Sequence, residues 1–245
     1  MTGVPGIRGV DVSSWQHPRG EEIDWHAVAD AGYRFAIVKA TQGVGYVNPW
    51  LARDLDDAFA AGLFLGAYHF FEAGVDAAEQ ARFMVHALMG RHLEVHAWLD
   101  YEVPVTNGFA AAAEVRTFLD AARDGRPGTG LYVDGYTHGV LAEAHLEFPL
   151  VWFADPSGAA PPAGAAMVQT SWGEAVAGVP DGCDVDELRR VRGINLPTVP
   201  KPPARACDVT AVQRAVRDAT DPAEPSEVSE RSGSADRPSG AEAAV

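Results

Sequence analysis

The stretch VHAWLDYEV, residues 95–103, decides the fold and the site that we predict for this chain. It is an apolar run that ends in two acids, Asp100 and Glu102. Successive side chains of an extended strand alternate between two faces, so these acids would share one face and Tyr101 would lie on the other. An unpaired buried carboxylate is strongly disfavoured, and the strand is therefore expected to end at a cleft.

Two carboxyl groups on one face can divide catalytic work between them. One can act as a general acid while the other stabilises charge, provided that their surroundings push their pKa values apart. The spacing alone is equally consistent with a strand end whose acids face water or pair with arginine.

Strand-like and helix-like segments alternate in the first half of the chain and predict parallel βαβ units. The predicted strands there are residues 7–12, 33–40, 64–71, 97–103 and 130–134. Residues 150–154 and 166–171 resemble strands joined by proline- and glycine-rich loops, without long helices between them. We therefore predict a modified, irregular α/β barrel in which helices are missing between the last strands.

Polar and aromatic side chains follow most of the predicted strands, where an α/β barrel places its chemistry. Besides the two acids they are Asp11, Tyr68, His69, Tyr132, Asp134, Trp152, Asp155, Gln169 and Trp172. Aromatic faces pack against the C–H surfaces of sugars, and paired carboxyl groups cut glycosidic bonds. The pattern predicts a sugar-binding cleft. Trp152 and Tyr132 could instead fill the core, and we expect His69 to be a hydrogen-bonded structural histidine rather than a base.

The charge balance argues against several classes of partner. The 245 residues carry 34 acids and 19 bases, a net charge of −15, which disfavours nucleic acid and electrostatic membrane binding. No segment approaches the roughly 18 apolar residues of a membrane span, and the start of the chain lacks the pattern of a signal peptide. We therefore expect no membrane partner and no export by the usual route. We also expect a monomer.

Composition divides the chain into four segments. Residues 1–196 form the predicted catalytic barrel, 197–206 a proline-rich linker, 207–219 a short amphipathic helix and 220–245 a disordered tail. The two cysteines, Cys183 and Cys207, indicate neither a zinc site nor a disulfide framework, and we expect free thiols.

Several motifs agree in order and spacing with those of one family. They are GVDVSSWQ, IDW, AGYRFAIVKATQG, YVNPWLARDLDDAFAAGLFLGAYHFF, LDYEV, GLYVDGY, VWFADP, MVQTSWG and CDVDELR, and the agreement covers about residues 9–188. In these motifs the chain resembles glycoside hydrolase family 25, the Chalaropsis-type lysozymes. The resemblance implies a modified α/β barrel that hydrolyses the β-1,4 bond between N-acetylmuramic acid and N-acetylglucosamine in bacterial peptidoglycan, with no metal or organic cofactor.

The resemblance also assigns roles to residues. Glu102 would be the general acid, and Asp100 would stabilise the oxocarbenium-like centre either directly or by orienting the acetamido group of the substrate. Asp11 and Asp184 match two further family acids and would set the charge of the cleft. The residues that fall where the family lines its sugar subsites are Tyr68, Tyr132, Trp152, Gln169 and Trp172.

One departure from the family keeps other functions open. Gln42 stands where the family often has an acid, so a wall-binding protein that has lost turnover is an alternative. A chitinase-type glycosidase is disfavoured, because the strand before Asp100 lacks the longer acidic signature of those enzymes. A phage endolysin, or a bacterial enzyme secreted by another route, would each explain a wall-degrading enzyme without a signal peptide.

Overall fold

The computed structural model describes residues 7–126, 128–148, 150–155, 158 and 160–189. The predicted linker, helix and tail at 197–245 lie outside these residues, as does Cys207. Cys183 is a buried free thiol. None of the helices in the described part is both long and apolar enough to cross a bilayer.

Nine strands and five α-helices make up the described part of the chain. The strands are β1 (Ile7–Val12), β2 (Phe35–Gln42), β3 (Tyr46–Val47), β4 (Phe64–Phe70), β5 (Ala97–Asp100), β6 (Gly130–Asp134), β7 (Val151–Ala154), β8 (Met167–Glu174) and β9 (Cys183–Leu188). The helices are α1 (Trp25–Asp30), α2 (Leu51–Ala60), α3 (Ala77–Ala87), α4 (Gly108–Ala122) and α5 (Gly135–Glu143), with 3₁₀ turns at Ser14–Gln16 and Pro18–Gly20.

Eight of these strands close into a barrel. Their order is β1, β2, β4, β5, β6, β7, β8, β9 and back to β1, while the two-residue β3 extends β2. Neighbouring strands are parallel from β1 to β8, and β9 runs antiparallel to both β8 and β1. Closure pairs the edges that an open sheet would leave exposed. The predicted irregular α/β barrel is confirmed.

Three details differ from the sequence prediction. Helix α5 lies between β6 and β7, where none is predicted, because its glycines, Gly135 and Gly139, weaken the helical signal. Strand β9, which closes the barrel, is not among the predicted strands. Strand β5 stops at Asp100, so Glu102 lies in the following loop. Pro104, two residues after Glu102, has no N–H group to donate to a neighbouring strand.

Side chains alternate between the barrel interior and the helical layer outside it. On β2, Phe35 and Ile37 belong to the interior cluster, together with Trp98 of β5, whereas Ala36 and Val38 pack in the larger cluster outside the barrel. This alternation is the period of two that an extended strand imposes. The lower half of the barrel is thus an apolar core, and polar side chains collect above it.

Two large interior rings lie opposite glycines. Gly9 pairs with Phe35 across β1 and β2, and Gly130 pairs with Trp98 across β6 and β5. A Cβ atom at Gly9 would lie 2.2 Å from the ring of Phe35, and one at Gly130 would lie 2.3 Å from that of Trp98. Both glycines are therefore required by close packing beneath the site.

Candidate active site

A cleft of about 200 Å³ opens at the carboxyl ends of the barrel strands. All four predicted catalytic acids and four of the five predicted sugar-binding residues line it: Asp11, Asp100, Glu102, Asp184, Tyr68, Tyr132, Trp152 and Gln169. A larger cavity of about 620 Å³ lies between α4 and the segment after α5, and none of the predicted site residues lines it. The smaller cleft is the candidate site, because it brings these acids and aromatic rings together.

Some predicted residues do not reach the cleft. Trp172 is 45% exposed and is absent from the lining, because register shifts after Gln169 interrupt the alternation of faces along β8. Asp134 caps α5, accepting a hydrogen bond of 2.6 Å from the backbone N–H of Thr137. Asp155 is likewise absent from the lining.

His69 is a structural histidine, as expected. It is fully buried, with one ring nitrogen 2.8 Å from Thr41 Oγ1 and the other 3.1 Å from Gln80 Oε1. Burial lowers the pKa of His69 to about 4, which keeps the ring neutral near pH 7.

Four lining residues are missing from the sequence prediction: Ser13, Trp15, Lys39 and Phe70. Lys39 follows Phe35 and Ile37 at alternate positions of β2, so the period of the strand already points it into the barrel. Phe70 stands in the same relation to Tyr68 on β4. Trp15 lies in the turn after β1 with 81% of its surface exposed, which makes it an aromatic rim of the cleft.

Asp100 and Glu102 occupy different environments within the cleft. Asp100 is buried at its floor, while Glu102 is exposed at its mouth. Burial, followed by the charge of Glu102, raises the pKa of Asp100 well above its usual value. Partial desolvation in the cleft also raises the pKa of Glu102. Tyr101 points away, as predicted, and its hydroxyl donates to Glu114 at 2.6 Å.

Among the described residues that line the cleft, Lys39 alone carries a positive charge. Its Nζ donates to Gln42 Oε1 at 2.7 Å and lies 4.6 Å from the centroid of the Phe70 ring. Desolvation lowers the pKa of Lys39, and the charges of Asp100 and Glu102 oppose this. Gln42 binds the ammonium group of Lys39 but is neutral, so it does not cancel the charge. The positive charge therefore acts on Asp100 and Glu102.

A chain of hydrogen bonds crosses the cleft from β9 to β6. Gln169 Nε2 donates to Asp184 Oδ2, whose other oxygen accepts from the backbone N–H of Gly173 at 2.8 Å. The Tyr132 hydroxyl donates to Gln169 Oε1 at 2.7 Å. Burial raises the pKa of Asp184, and the two N–H donors oppose that rise. The chain thus links Asp184 to Tyr132 through the buried amide of Gln169.

A further acid, Asp186, lies behind the cleft and is not among the acids predicted from the sequence. It is fully buried and accepts a hydrogen bond of 2.8 Å from Trp152 Nε1. Asp11 Oδ2 and Asp186 Oδ2 are buried and meet no donor among the described residues, but the two carboxyl groups lie within hydrogen-bonding reach of each other. One proton held between them would satisfy both, and burial, the largest cause, raises the pKa of each. The sequence signal for Asp186 was its position two residues after Asp184, which places both acids on the same face of β9.

Comparison with known proteins agrees with this geometry. A family model described as glycosyl hydrolases family 25 matches residues 10–163. The chain belongs to glycosyl hydrolase family 25. The matched region contains the predicted catalytic pair, the second half of β1 and all of β2 to β7 of the family 25 barrel described above.

Two relatives of this family 25 chain match over about half of its length. The uncharacterized protein YegX of Escherichia coli K12 is 39% identical over 115 residues, which cover 45% of this chain and 40% of YegX. The N,O-diacetylmuramidase of Chalaropsis is 32% identical over 120 residues, which cover 44% of this chain and 55% of that enzyme. The matched segments thus span about half or less of these relatives.

A solved structure confirms the fold over a longer region. A family 25 glycosyl hydrolase from Bacillus anthracis superposes with a TM-score of 0.67 at 17% identity, covering 77% of this chain and 91% of that structure. At this level of sequence identity, the structural similarity supports the barrel fold alone. The chemistry of the site is argued from its own residues.

Proposed function

We propose that this family 25 protein is a 1,4-β-N-acetylmuramidase, a lysozyme that hydrolyses the bond between N-acetylmuramic acid and N-acetylglucosamine in bacterial peptidoglycan. The observation that carries the proposal is the pair of carboxyl groups, Asp100 buried and Glu102 exposed, in one cleft lined by aromatic rings. The kinship with an N,O-diacetylmuramidase supports the choice of substrate.

Glu102 is the general acid of the proposed reaction. In the free cleft, burial and the charge of Glu102 raise the pKa of Asp100 well above its usual value, and partial desolvation raises that of Glu102. A bound glycan covers the exposed Glu102, which raises its pKa further and favours its protonated form. Glu102 then gives its proton to the glycosidic oxygen while the bond from that oxygen to C1 of the muramic acid breaks.

Asp100 stabilises the positive charge that develops at C1, and this charge favours its ionised form. Asp100 Oδ1 is buried and accepts no hydrogen bond from the described residues. An acetamido N–H group of the substrate would satisfy this oxygen, which supports an assisting role for that group alongside direct stabilisation. Water then adds to C1 and returns a proton to Glu102.

The surrounding side chains hold the sugar rings. Trp152 packs edge-on against Tyr132 and Tyr68, with ring centroids 4.7 Å and 6.4 Å away, which forms an aromatic wall of the cleft. Trp15 offers a further ring at the rim, and Gln169 and Asp184 offer amide and carboxyl groups to hydroxyls. These residue types are those that sugars select.

The test is hydrolysis of purified bacterial walls by wild type, Glu102→Gln and the matched variant Glu114→Gln. Glu114 carries the same carboxyl group as Glu102, but it lies on the outer face, where it accepts a hydrogen bond from Tyr101. We expect Glu102→Gln to release soluble fragments at least about 100-fold more slowly, the size of a lost general acid. Glu114→Gln should stay near wild type. A Glu102→Gln variant that is within about twofold of wild type would refute the assignment.

A wall-binding protein without turnover is the second candidate, and Gln42 is the observation that favours it. An acid is expected at this position in the family, and here its charge is missing from the partner of Lys39. Sedimentation with walls in the absence of released fragments would support that reading. We also propose that the protein acts at the bacterial cell wall, as a phage endolysin or as a bacterial enzyme, with peptidoglycan as its partner.

A further inference from the structure

We infer that His17 and Asp54 are positioning residues that hold the loop after β1 in place, and with it the ring of Trp15 at the rim of the cleft. The loop comprises residues 13–24 and joins β1 to α1. The inference deepens the proposed function, and it rests on the cleft binding a glycan. His17 and Asp54 do not line the cleft themselves, so their effect on binding passes through the loop.

His17 and Asp54 form a buried pair between this loop and α2. His17 Nε2 lies 2.9 Å from Asp54 Oδ2, and the exposed fractions of the two side chains are 0% and 3%. The other Asp54 oxygen accepts a hydrogen bond of 3.3 Å from Trp25 Nε1. The His17 ring stacks on that of Trp50, with the ring centroids 3.9 Å apart. Asp54 thus anchors the loop to α2 through a ring that is fixed on its other side as well.

The second ring nitrogen of His17 closes a turn within the loop. Nδ1 lies 2.8 Å from the backbone carbonyl oxygen of Glu21, which can only accept, so Nδ1 donates. Inside this turn Arg19 has a φ of 56° and Gly20 has a φ of 81°. A positive φ costs a non-glycine residue free energy and persists only where the surroundings impose it. The hydrogen bond from His17 to Glu21 helps to impose it here.

Trp15 lies in the weakly bonded 3₁₀ turn Ser14–Gln16, directly before His17. The His17 N–H donates to the Ser14 carbonyl at 3.3 Å. The Trp15 N–H donates to Ser13 Oγ at 3.2 Å, so both bonds are at the long end of the ordinary range. The Trp15 ring is itself 81% exposed, and its place at the rim is therefore set by the loop beneath it.

Other side-chain hydrogen bonds reach the same turn, but they are less buried. The Tyr46 hydroxyl donates to Ser14 Oγ at 2.9 Å, and Gln16 Nε2 donates to Gly182 O at 3.3 Å. Both are only partly buried, so water competes for the same groups. The bond from His17 to α2 is fully buried, where the low local dielectric strengthens a hydrogen bond. The buried pair is therefore the principal anchor of the turn.

The experiment compares variants that keep or remove these polar contacts. In Asp54→Asn the amide donates to His17 Nε2 and accepts from Trp25, so both hydrogen bonds survive without the carboxylate. In the double variant His17→Phe/Asp54→Leu the new ring still stacks on Trp50, but the hydrogen bonds are lost. Replacing a buried ion pair by apolar residues of similar volume is often neutral for stability, so we expect the double variant to fold.

A milder variant guards against a double variant that does not fold. His17→Gln keeps a donor for the Asp54 carboxylate but offers none to the Glu21 carbonyl, so it opens the turn while the buried acid stays paired. Asp56→Asn is the matched control, because Asp56 also lies on α2 but pairs with Arg91, away from the loop.

The first readout is hydrogen–deuterium exchange of the full chain, which requires no activity. Residues 13–21 should exchange at least about tenfold faster in the double variant than in wild type, through local opening, and also faster in His17→Gln. Asp54→Asn and Asp56→Asn should exchange like wild type over this segment. A wild-type rate in the double variant or in His17→Gln, or a rate in Asp54→Asn as fast as that of the double variant, would overturn the inference.

The second readout is the kinetics of wall-fragment hydrolysis. The double variant should raise KM up to about fivefold, as expected for loss of the Trp15 ring, and should leave kcat within about twofold of wild type. In the Trp15→Ala background the same double change should raise KM no further, because the loop then has no ring to place. A merely structural role would raise KM by the same factor in both backgrounds. That result, or an unchanged KM in the double variant, would overturn the inference.

The two readouts separate this inference from the proposed function. Suppose that the protein hydrolyses no wall, while the double variant shows faster loop exchange and sediments less with walls than wild type does. This outcome would sustain the positioning role and refute the muramidase proposal. Hydrolysis by wild type with an unchanged KM in the double variant would refute the positioning role alone.

Discussion

Replacing Asp186 with asparagine should make the stability of this protein less sensitive to pH. Asp186 is fully buried between Trp152, whose Nε1 donates to it, and the carboxyl group of Asp11. Asparagine keeps an oxygen for Trp152 and supplies an NH₂ group toward Asp11. The variant therefore imitates the protonated form of Asp186 without needing a proton.

The size of the effect follows from proton linkage. Burial, together with the charge of Asp11, raises the pKa of Asp186 well above 3.8, the value expected for the unfolded chain. The proton on Asp186 stabilises the fold. This stabilisation is fully present below the pKa of Asp186 in the unfolded chain, and it is lost as pH rises through the pKa of Asp186 in the folded protein. Between the two values the folded pair holds one proton more than the unfolded chain. The free energy of unfolding then falls by about 1.4 kcal/mol per pH unit, or roughly 3–6 °C in Tm.

The assay is urea unfolding of wild type, Asp186→Asn and the exposed control Asp181→Asn, at several pH values above about pH 4.5. In the pH range in which wild type holds the extra proton, the free energy of unfolding should fall less steeply with pH in Asp186→Asn than in wild type. The difference in slope should be about 1.4 kcal/mol per pH unit, the value for one proton. The control should keep the slope of wild type. Equal slopes in Asp186→Asn and wild type would refute the shared proton.

Three other substitutions test the cleft and the barrel beneath it. Lys39→Met removes the positive charge that lowers the pKa of Asp100 and Glu102, so both limbs of the pH profile of kcat/KM should move to higher pH, and unmoved limbs would contradict this role. Trp15→Ala should raise KM for wall fragments about fivefold by loss of one stacking ring, with an unchanged urea midpoint, and an unchanged KM would remove Trp15 from the site. Gly9→Ala should cost about 1–3 kcal/mol in urea unfolding, because its Cβ meets the buried ring of Phe35, whereas Gly139→Ala in α5 meets nothing and should not destabilise.

The parallel half of the barrel could be predicted because each strand there is an apolar run followed by a helical pattern. The same logic placed Asp11, Tyr68, Tyr132 and Trp152 at strand ends, where the structure has them lining one cleft. The pairing of Asp100 with Glu102 was predicted from an extended strand, yet Glu102 lies in the loop after β5. The two acids still meet at the cleft because that loop begins at its floor.

What the sequence did not reveal depends on local geometry. The alternation of faces fails on β8, where register shifts after Gln169 leave Trp172 outside the lining. Lys39 was passed over although the period of β2 points it into the barrel, because lysine is rarely an inward-facing residue. Asp186 was passed over because a fully buried acid is rare, and its partner, Asp11, lies on a strand that is distant in sequence.

The most direct test of the account is the identity of the new reducing end. Wild type and Glu102→Gln are incubated with purified peptidoglycan, the products are reduced with borohydride, and the sugar alcohols are identified by mass spectrometry. The account predicts new muramitol ends with wild type and almost none with Glu102→Gln. Glucosaminitol ends would contradict the muramidase assignment, and a protein that sediments with walls but creates no new ends would contradict catalysis itself.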